Sequence, residues 1–351
     1  MRLFFIFFIF FFTQHAIPAL AQDQCELALG QAENKYRLGK LYEIPELLQP
    51  CINSGFTKEA KIRAYRLLTL TYLFLDYYDE ADKAYLELLK LSPEYKTNQE
   101  LDPMEIINHS AKFTTKPKFY LSLAKVGINY SFANVLLDYS ISQSTDGTKM
   151  YSELLGYQAG IGGEMVIWQN LHLSTELFLR RSTLNLRDTH WGFYETSMDI
   201  SHTKVELPIM LKYNFFKGKV NPFVSAGISP QLLVKSAMLN IEGSYEQLGE
   251  KFPVQPRPKI NTTDLKNKFN YVALLGGGIN YKIGLNYLVF ELRYGMGMLN
   301  ETAEKKKMLD DTPEVRELKF PSGNIDDAFK INDLSFFVGF VKPLYKPRKI
   351  K

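Results

Sequence analysis

The stretch that decides the fold lies at residues 205–215 and reads Val205-Glu206-Leu207-Pro208-Ile209-Met210-Leu211-Lys212-Tyr213-Asn214-Phe215. Its side chains alternate with a period of two, which is typical of a β-strand with two different faces. The wholly apolar face comprises Val205, Leu207, Ile209, Leu211, Tyr213 and Phe215. The opposite face comprises Glu206, Pro208, Met210, Lys212 and Asn214. The pattern predicts one continuous strand with charged groups on one side and an apolar surface on the other.

Seven further segments show the same alternation, and all of them follow residue 117. They lie at residues 123–132, 157–167, 171–180, 220–234, 269–283, 287–294 and 333–341. At 171–180, for example, His172, Glu176 and Arg180 occupy one face, and the other face is mostly leucine. Together with the first stretch, these segments predict eight strands.

The connections between the predicted strands alternate between short and long. Short turns are predicted at Gln169-Asn170, Lys217-Gly218-Lys219 and Gly284-Leu285-Asn286. The other connections contain about twenty to thirty residues each, and such alternation is typical of transmembrane β-barrels, whose short turns face the periplasm.

A soluble eight-stranded barrel of the lipocalin type is the alternative architecture. It would place its apolar face inside and its charges in water, and it would need no aromatic residues on its outer face. Here the outer face carries Tyr157, Tyr213, Phe215, Tyr271, Tyr281 and Tyr294. Such residues form the interfacial girdles of membrane barrels, so the membrane barrel is favoured.

The composition excludes several classes of protein. The chain has 351 residues, a net charge of +4 and a mean hydropathy of −0.17, which argues against a polytopic helical membrane protein and a histone-like polycation. Its two cysteines cannot form a disulfide-dense scaffold or a four-thiolate zinc site. The sequence contains no Walker loop, HExxH or dinucleotide-binding motif. We therefore predict no cofactor, no metal site and no nucleic-acid partner.

Residues 1–21 are predicted to be a secretory signal peptide. Arg2 provides a basic start, and the apolar run at residues 3–12 is too short to span a bilayer. Ala19-Leu20-Ala21 forms a small-residue cleavage motif, so the mature chain is expected to begin at Gln22. An uncleaved N-terminal anchor is the alternative.

Residues 22–113 show a helical period and are predicted to form a separate periplasmic domain. Amphipathic stretches at 62–75 and 80–91 form a hairpin that resembles a tetratricopeptide (TPR) repeat of about 34 residues. The residues that match this pattern are Tyr65, Leu68, Tyr72, Ala81, Tyr85, Leu88 and Pro93. A weaker copy lies upstream, where Pro45 and Pro50 are expected to shorten or kink the second helix. The region is either a protein-docking platform or an inert cap.

The only two cysteines, Cys25 and Cys51, both lie in this helical region. Disulfides form and persist in the oxidising periplasm. A disulfide that links the two helices of the first hairpin is therefore the expected state, with the free thiols as the alternative.

The remainder of the chain, from about residue 119 to 345, resembles the outer-membrane β-barrel (porin-family) domain of Bacteroidetes, an eight-stranded barrel of the OmpA/OmpX shape. Four motifs carry the resemblance in this order: residues 205–213, Pro222-Phe223-Val224-Ser225-Ala226-Gly227, Leu275-Gly276-Gly277-Gly278-Ile279-Asn280-Tyr281 and Glu291-Leu292-Arg293-Tyr294-Gly295. The resemblance implies an outer-membrane barrel at 118–345 and leaves the function open. The chain departs from the family in its helical front and in a basic tail at 346–351.

The inward faces of the predicted strands carry four acids and four bases. They are Lys125, Glu164, Glu176, Arg180, Glu206, Lys212, Glu291 and Arg293. An eight-stranded barrel is only wide enough for side chains to fill it, and unpaired buried charges are costly. The charges are therefore predicted to pair and plug the lumen, with nearby glycines leaving room for the long side chains. A gated ion path is the alternative.

His172, Ser174 and Glu176 share one strand face and match the residue types of a hydrolytic triad. Residues two apart on a strand stand roughly 6–7 Å apart, so these three form a row rather than a relay. We predict that the protein is not an enzyme, and an outer-membrane lipid hydrolase is the less favoured alternative.

The whole sequence predicts a multidomain α+β protein of the Gram-negative cell envelope. A short TPR-like α-helical domain precedes an eight-stranded antiparallel transmembrane β-barrel, which is surrounded by outer-membrane lipid. The predicted role is to anchor a helical interaction module for a periplasmic or envelope protein, as a scaffold or accessory of an envelope or secretion assembly. A narrow pore or a transporter accessory is the alternative.

Overall fold

The computed structural model describes residues 17–138, 148–190, 193–216, 218–257, 259–303 and 327–350. Residues 1–16 of the predicted signal peptide lie outside this part of the chain, as do Lys217 of one predicted turn and residues 304–326 of the last long connection. The chain divides into two compact units. One comprises Met1–Pro117 together with Tyr345–Lys351, and the other comprises Lys118–Leu344.

The first unit is helical. Its helices are α1 (Ile17–Arg37), α2 (Ile44–Asn53), α3 (Lys58–Phe74), α4 (Tyr78–Leu91) and α5 (Met104–Ser110). Helix α3 begins after Thr57, whose hydroxyl accepts a hydrogen bond from the Ala60 N–H at 3.2 Å and so caps the helix. Helix α2 has Pro45 in its first turn, where the missing N–H costs nothing, but it also contains Pro50 and has only 10 residues. Of the helices described, none is long and apolar enough to cross a bilayer.

Two apolar clusters hold the helices together. The first joins α1, α2 and α3 and includes Leu29, Leu48 and Leu67. The second joins α3, α4 and α5 and includes Leu88 and Ile106. Each helix thus buries an apolar stripe against its neighbours, which is the source of most helix stability in proteins.

The predicted basic tail belongs to the helical unit. Strand β1 (Phe113–Thr114) pairs antiparallel with strand β13 (Arg348–Lys349), and Phe113 lies opposite Lys349. The Ile350 N–H also donates a hydrogen bond to the Lys112 carbonyl at 2.7 Å. Residues on both sides of the barrel sequence therefore contribute to one unit.

The second unit is a closed ring of eight strand positions. Its ring strands are β2 (Phe119–Leu137), β3 (Thr148–Trp168), β4 (Leu171–His190), β5 (Tyr194–Glu206), β6 (Ile209–Asn214), β7 (Val220–Gln247), β10 (Phe269–Ile283), β11 (Asn286–Gly297) and β12 (Ala328–Leu344). Antiparallel pairing runs from β2 through to β12, with β5 and β6 sharing one position, and β12 pairs with β2 to close the ring. Two short strands, β8 (Glu250–Arg257) and β9 (Ile260–Asn261), pair with β7 outside this ring.

The continuous strand predicted at residues 205–215 is in fact two strands, so that prediction was wrong in this detail. Strand β5 ends at Glu206 and β6 begins at Ile209, and both pair with β4 and β7. Proline has no N–H to donate to a ladder, so Pro208 interrupts the strand. Two backbone hydrogen bonds still connect the residues between β5 and β6 to the neighbouring strands. The Leu207 N–H donates to the Pro230 carbonyl, and the Pro208 carbonyl accepts from the Glu176 N–H.

Strands also occupy much of what the sequence predicts as long loops. The connection of about twenty residues expected before residue 203 shrinks, because β4 runs to His190 and β5 starts at Tyr194. Strand β7 alone has 28 residues, against about ten for a membrane crossing. The extended parts bury an apolar cluster of their own, which includes Leu186, Met198 and Met238.

Candidate functional site

Burial along the ring strands alternates with a period of two. In β6, Ile209 and Leu211 are 38% and 50% exposed, whereas Met210 is 3% exposed. Seven of the eight charged residues predicted to face the lumen are buried, and the eighth, Glu164, has a side chain that is only 11% exposed. The lumen is therefore lined with charge, and the outer face is apolar.

Four of these charges form one closed set of ion pairs. The Lys125 ammonium lies 2.7 Å from Glu176 and 2.5 Å from Glu291. The Arg293 guanidinium lies 2.8 Å from Glu176 and 3.0 Å from Glu291. Each carboxylate thus contacts both cations, and the set is electrically neutral. The guanidinium also lies 4.7 Å from the ring centre of Phe337, which adds a cation–π contact.

Glycines make room for this set. A methyl group at Gly162 would lie 2.8 Å from Cγ of Glu176, and one at Gly276 would lie 2.9 Å from a carboxylate oxygen of Glu291. At Gly162 the methyl group would also lie 2.6 Å from the backbone oxygen of Thr175, which cannot easily move, so this position requires glycine. At Gly276 the added group would force the carboxylate of Glu291 to shift.

A second group of charges involves a residue that the sequence analysis missed. Arg180 lies 3.0 Å from Asp333 and 3.5 Å from Glu206, and Glu206 also accepts a hydrogen bond from Gln231 at 2.7 Å. Asp333 is the first residue of a predicted strand, and its position on the polar face is the signal that could have identified it.

A third group includes Glu301, which lies in a segment predicted to be a long connection. Lys204 lies 2.5 Å from Glu301, and the Asn270 amide donates to the same carboxylate at 2.8 Å. Lys204 directly precedes the predicted strand at 205–215 and is far from Glu301 in sequence, so no local pattern indicates their pairing.

A fourth group lies near the short turns. Glu164 lies 2.7 Å from Lys212 and 3.3 Å from His172, and Lys212 donates to Asn280 at 3.2 Å. These side chains, with Tyr120 and others, line a cavity of about 40 Å³. A polar cavity of that size is large enough for ordered water, which requires only about 10–15 Å³.

The row of His172, Ser174 and Glu176 does not form a catalytic relay. His172 contacts Glu164, and both oxygens of Glu176 accept from cations. The hydrogen bonds of the described residues join none of the three to another. The same part of the chain contains no group of three or more His, Cys, Asp or Glu side chains placed to hold a metal ion.

The outer face of the ring is apolar over many strands. Large side chains exposed there include Val126, Ile161, Leu179, Ile228 and Leu292, which are 52–59% exposed. Apolar surfaces of such extent mark membrane or protein interfaces. The family model for the outer membrane protein beta-barrel domain matches residues 120–303. The chain belongs to the outer-membrane β-barrel domain family. The outer face of this outer-membrane barrel is thus its lipid-facing surface.

Solved structures of outer-membrane barrels are similar to the chain at low identity. Neisserial surface protein A is 11% identical, with 65% of this chain and 97% of that chain covered and a TM-score of 0.30. OprG from Pseudomonas aeruginosa is 9% identical, with 67% and 97% covered and a TM-score of 0.35. Ail from Yersinia pestis is 8% identical, with 64% and 99% covered and a TM-score of 0.26. No curated protein sequence matches the chain.

The residues predicted as the core of a helical repeat lie between α3 and α4 or next to them. Leu68, Ala81, Tyr85, Leu88 and Pro93 are buried. Tyr65 and Tyr72 are partly buried and pack against both apolar clusters. Burial raises the pKa of the Tyr85 hydroxyl to about 12.

A buried histidine lies at the edge of this core. His109 of α5 is 2% exposed and contacts the rings of Tyr85 and Phe113, and its Nε2 lies 3.3 Å from Asp82. Burial lowers the pKa of His109. Asp82 raises it by a smaller amount, and Lys112 and Lys349 lower it further. The neutral imidazole is therefore the form that the folded unit favours.

The helical unit also contains a disulfide and several exposed apolar side chains. Cys25 and Cys51 are bonded, with an S–S distance of 2.06 Å, and link α1 to α2. Among its described residues, the large apolar ones with at least 46% exposure are Leu27, Leu38, Tyr42, Phe74, Tyr77, Tyr78, Leu101, Met104 and Ile350.

Proposed function

We propose that this protein is a closed outer-membrane barrel that anchors a helical, TPR-like module in the periplasm, where the module binds a protein of the cell envelope. The observation that carries the proposal is the lumen of the described strands, where the predicted inward charges are paired and where Lys125, Lys212 and Arg293 also lie over aromatic rings. A conducting pore would leave charged groups in contact with a continuous column of water. We therefore assign the function of the protein to the helical module that the barrel anchors at the membrane.

The helical unit has the features of a binding module. It is a compact unit with its own core, and it exposes aromatic residues at the turn between α3 and α4, of which Tyr77 and Tyr78 are more than half exposed. Aromatic side chains are enriched in protein interfaces. Export by a cleaved signal peptide, with the module on the side of the short turns, is part of the proposal.

The first test separates an anchor from a pore. The purified protein is inserted into planar lipid bilayers, and the current is recorded at increasing voltage. We expect no stable conductance steps above the bare membrane. Regular steps at low voltage would overturn the closed anchor in favour of a narrow pore.

The second test addresses the helical module. Ala81 is fully buried between α3 and α4, so Ala81→Arg overfills the core and buries a charge, which is expected to destabilise the unit by several kcal/mol. The control, Gln31→Arg, adds the same charge on an exposed part of α1. A photo-crosslinking amino acid at position 77 then reports contacts in the native envelope.

We expect Ala81→Arg to remove the crosslinks from position 77, and Gln31→Arg to keep them. Both variants should show the altered gel mobility of a folded barrel before heating, because a barrel satisfies its own backbone hydrogen bonds. If Ala81→Arg keeps both the crosslinks and the phenotype of the wild type, the module is an inert cap and the proposal fails.

A further inference from the structure

The segment that follows the last barrel strand is built into the helical unit as an extended peptide. Thr114 lies opposite Arg348, and Phe113 opposite Lys349. Phe113 is itself part of the second apolar cluster, where it contacts Tyr85. The strand that receives the segment is therefore anchored in the core.

Charge complements this pairing. Residues 22–117 contain fifteen Asp and Glu against twelve Lys and Arg, whereas residues 345–351 contain four Lys and Arg and no acid. Lys349 forms an ion pair with Asp82, the same carboxylate that contacts His109. Tyr345 donates a hydrogen bond from its hydroxyl to Glu94 at 3.2 Å. Both backbone and side chains thus recognise a basic extended peptide.

The connection of the chain through the barrel determines when this peptide comes close to β1. In the barrel, Phe119 and Leu344 are register partners at one end of the β2–β12 pairing. Strand β1 ends five residues before Phe119, and β13 begins four residues after Leu344. Once the ring is closed, the two strands are therefore held on short tethers, which corresponds to an effective concentration of about millimolar. Before closure the whole barrel sequence separates them.

We propose that residues 345–350 are an internal peptide ligand of the helical unit, and that closure of the barrel delivers this ligand. The helical unit then reaches its complete fold only in molecules whose barrel has closed. Building on the function proposed above, partner binding is thereby restricted to assembled protein, because an unclosed chain presents an incomplete module.

The experiment uses the full chain refolded into lipid vesicles. Ile350→Pro removes the N–H that donates to Lys112, and Ile350→Ala retains it. Amide hydrogen exchange of residues 111–116 should be faster in the proline variant and unchanged in the alanine variant. Asp82→Lys and Lys349→Glu should each accelerate this exchange roughly two- to fivefold, and the double variant should return towards wild type. All variants should keep the gel mobility of a closed barrel.

Delivery is tested with Thr114→Cys/Arg348→Cys, which places a cysteine pair at register partners. During refolding, the disulfide between the two introduced cysteines should appear no earlier than the gel band of the closed barrel. A crosslink that forms equally fast in the unclosed chain would overturn delivery by closure. Equal exchange in Ile350→Pro and Ile350→Ala would overturn the peptide site itself. If these results hold while position 77 gives no partner crosslink in the wild type, the proposed function fails and the peptide site stands.

Discussion

Arg293→Met is the most informative perturbation of the barrel, because it removes one cation from a neutral set of four charges. Arg293 is 3% exposed and contacts Glu176 at 2.8 Å and Glu291 at 3.0 Å. Methionine fills a similar length of lumen but leaves two buried carboxylates to share Lys125. Removing one partner of a buried ion pair typically costs about 3–5 kcal/mol. We expect a loss of that size in the free energy of unfolding.

In the assay, the protein is reconstituted in lipid vesicles and unfolded with increasing urea. The fraction of folded barrel at each urea concentration is measured by gel mobility without heating. The control is Arg187→Met, because Arg187 is 62% exposed and its ion pair with Glu195, at 3.3 Å, faces solvent. That pair is worth only about 0.2–1 kcal/mol. Adding Glu291→Gln to Arg293→Met restores neutrality and should recover much of the loss. An Arg293→Met variant as stable as the control, or a double variant with no recovery, would refute the paired lumen.

The other predictions concern lipid contact, topology and pH. Ile209→Arg places a cation on the lipid-facing surface, where it should cost about 2–4 kcal/mol and reduce the fraction of folded barrel on gels. An epitope inserted after Leu248, which is 99% exposed at the β7–β8 hairpin, should be labelled on intact cells, whereas one at residues 40–54 should not. Burial lowers the pKa of His109 below its unfolded value of about 6.5. The helical unit should therefore be most stable above about pH 6.5 and lose stability as the pH falls below this value, because the unfolded chain binds the proton more readily. His109→Gln should flatten this dependence in denaturation curves measured between about pH 5 and 7.5.

The two faces of the barrel strands could be predicted from the sequence because side-chain direction in a strand depends only on residue parity. Lys212 and Ile209 therefore fall on opposite faces in the structure as the alternation predicts. The interruption at Pro208 was also visible in principle, since proline cannot donate to a ladder, but the strong alternation around it outweighed that signal.

Long-range pairings could not be predicted in this way. The ion pair of Lys204 with Glu301 and the pairing of Phe113 with Lys349 each join segments that are distant in sequence. Neither segment has a local pattern that specifies its partner. Strand length was also underestimated: β4 continues to His190 in a ladder with β5, and its residues 182–188 keep the alternation of buried and more exposed side chains.

The paired lumen also favours the strand register that the structure shows. Lys125 on β2 reaches Glu176 on β4 and Glu291 on β11, and neither of these strands is hydrogen-bonded to β2. A slip of β2 by one residue would turn Lys125 towards lipid, where a cation costs about 2–4 kcal/mol near the bilayer midplane. The same slip would leave both carboxylates with one cation fewer, which carries a further penalty. A backbone ladder is nearly the same in any register, so it cannot impose this choice. The charges therefore stabilise one arrangement of strands that share no ladder.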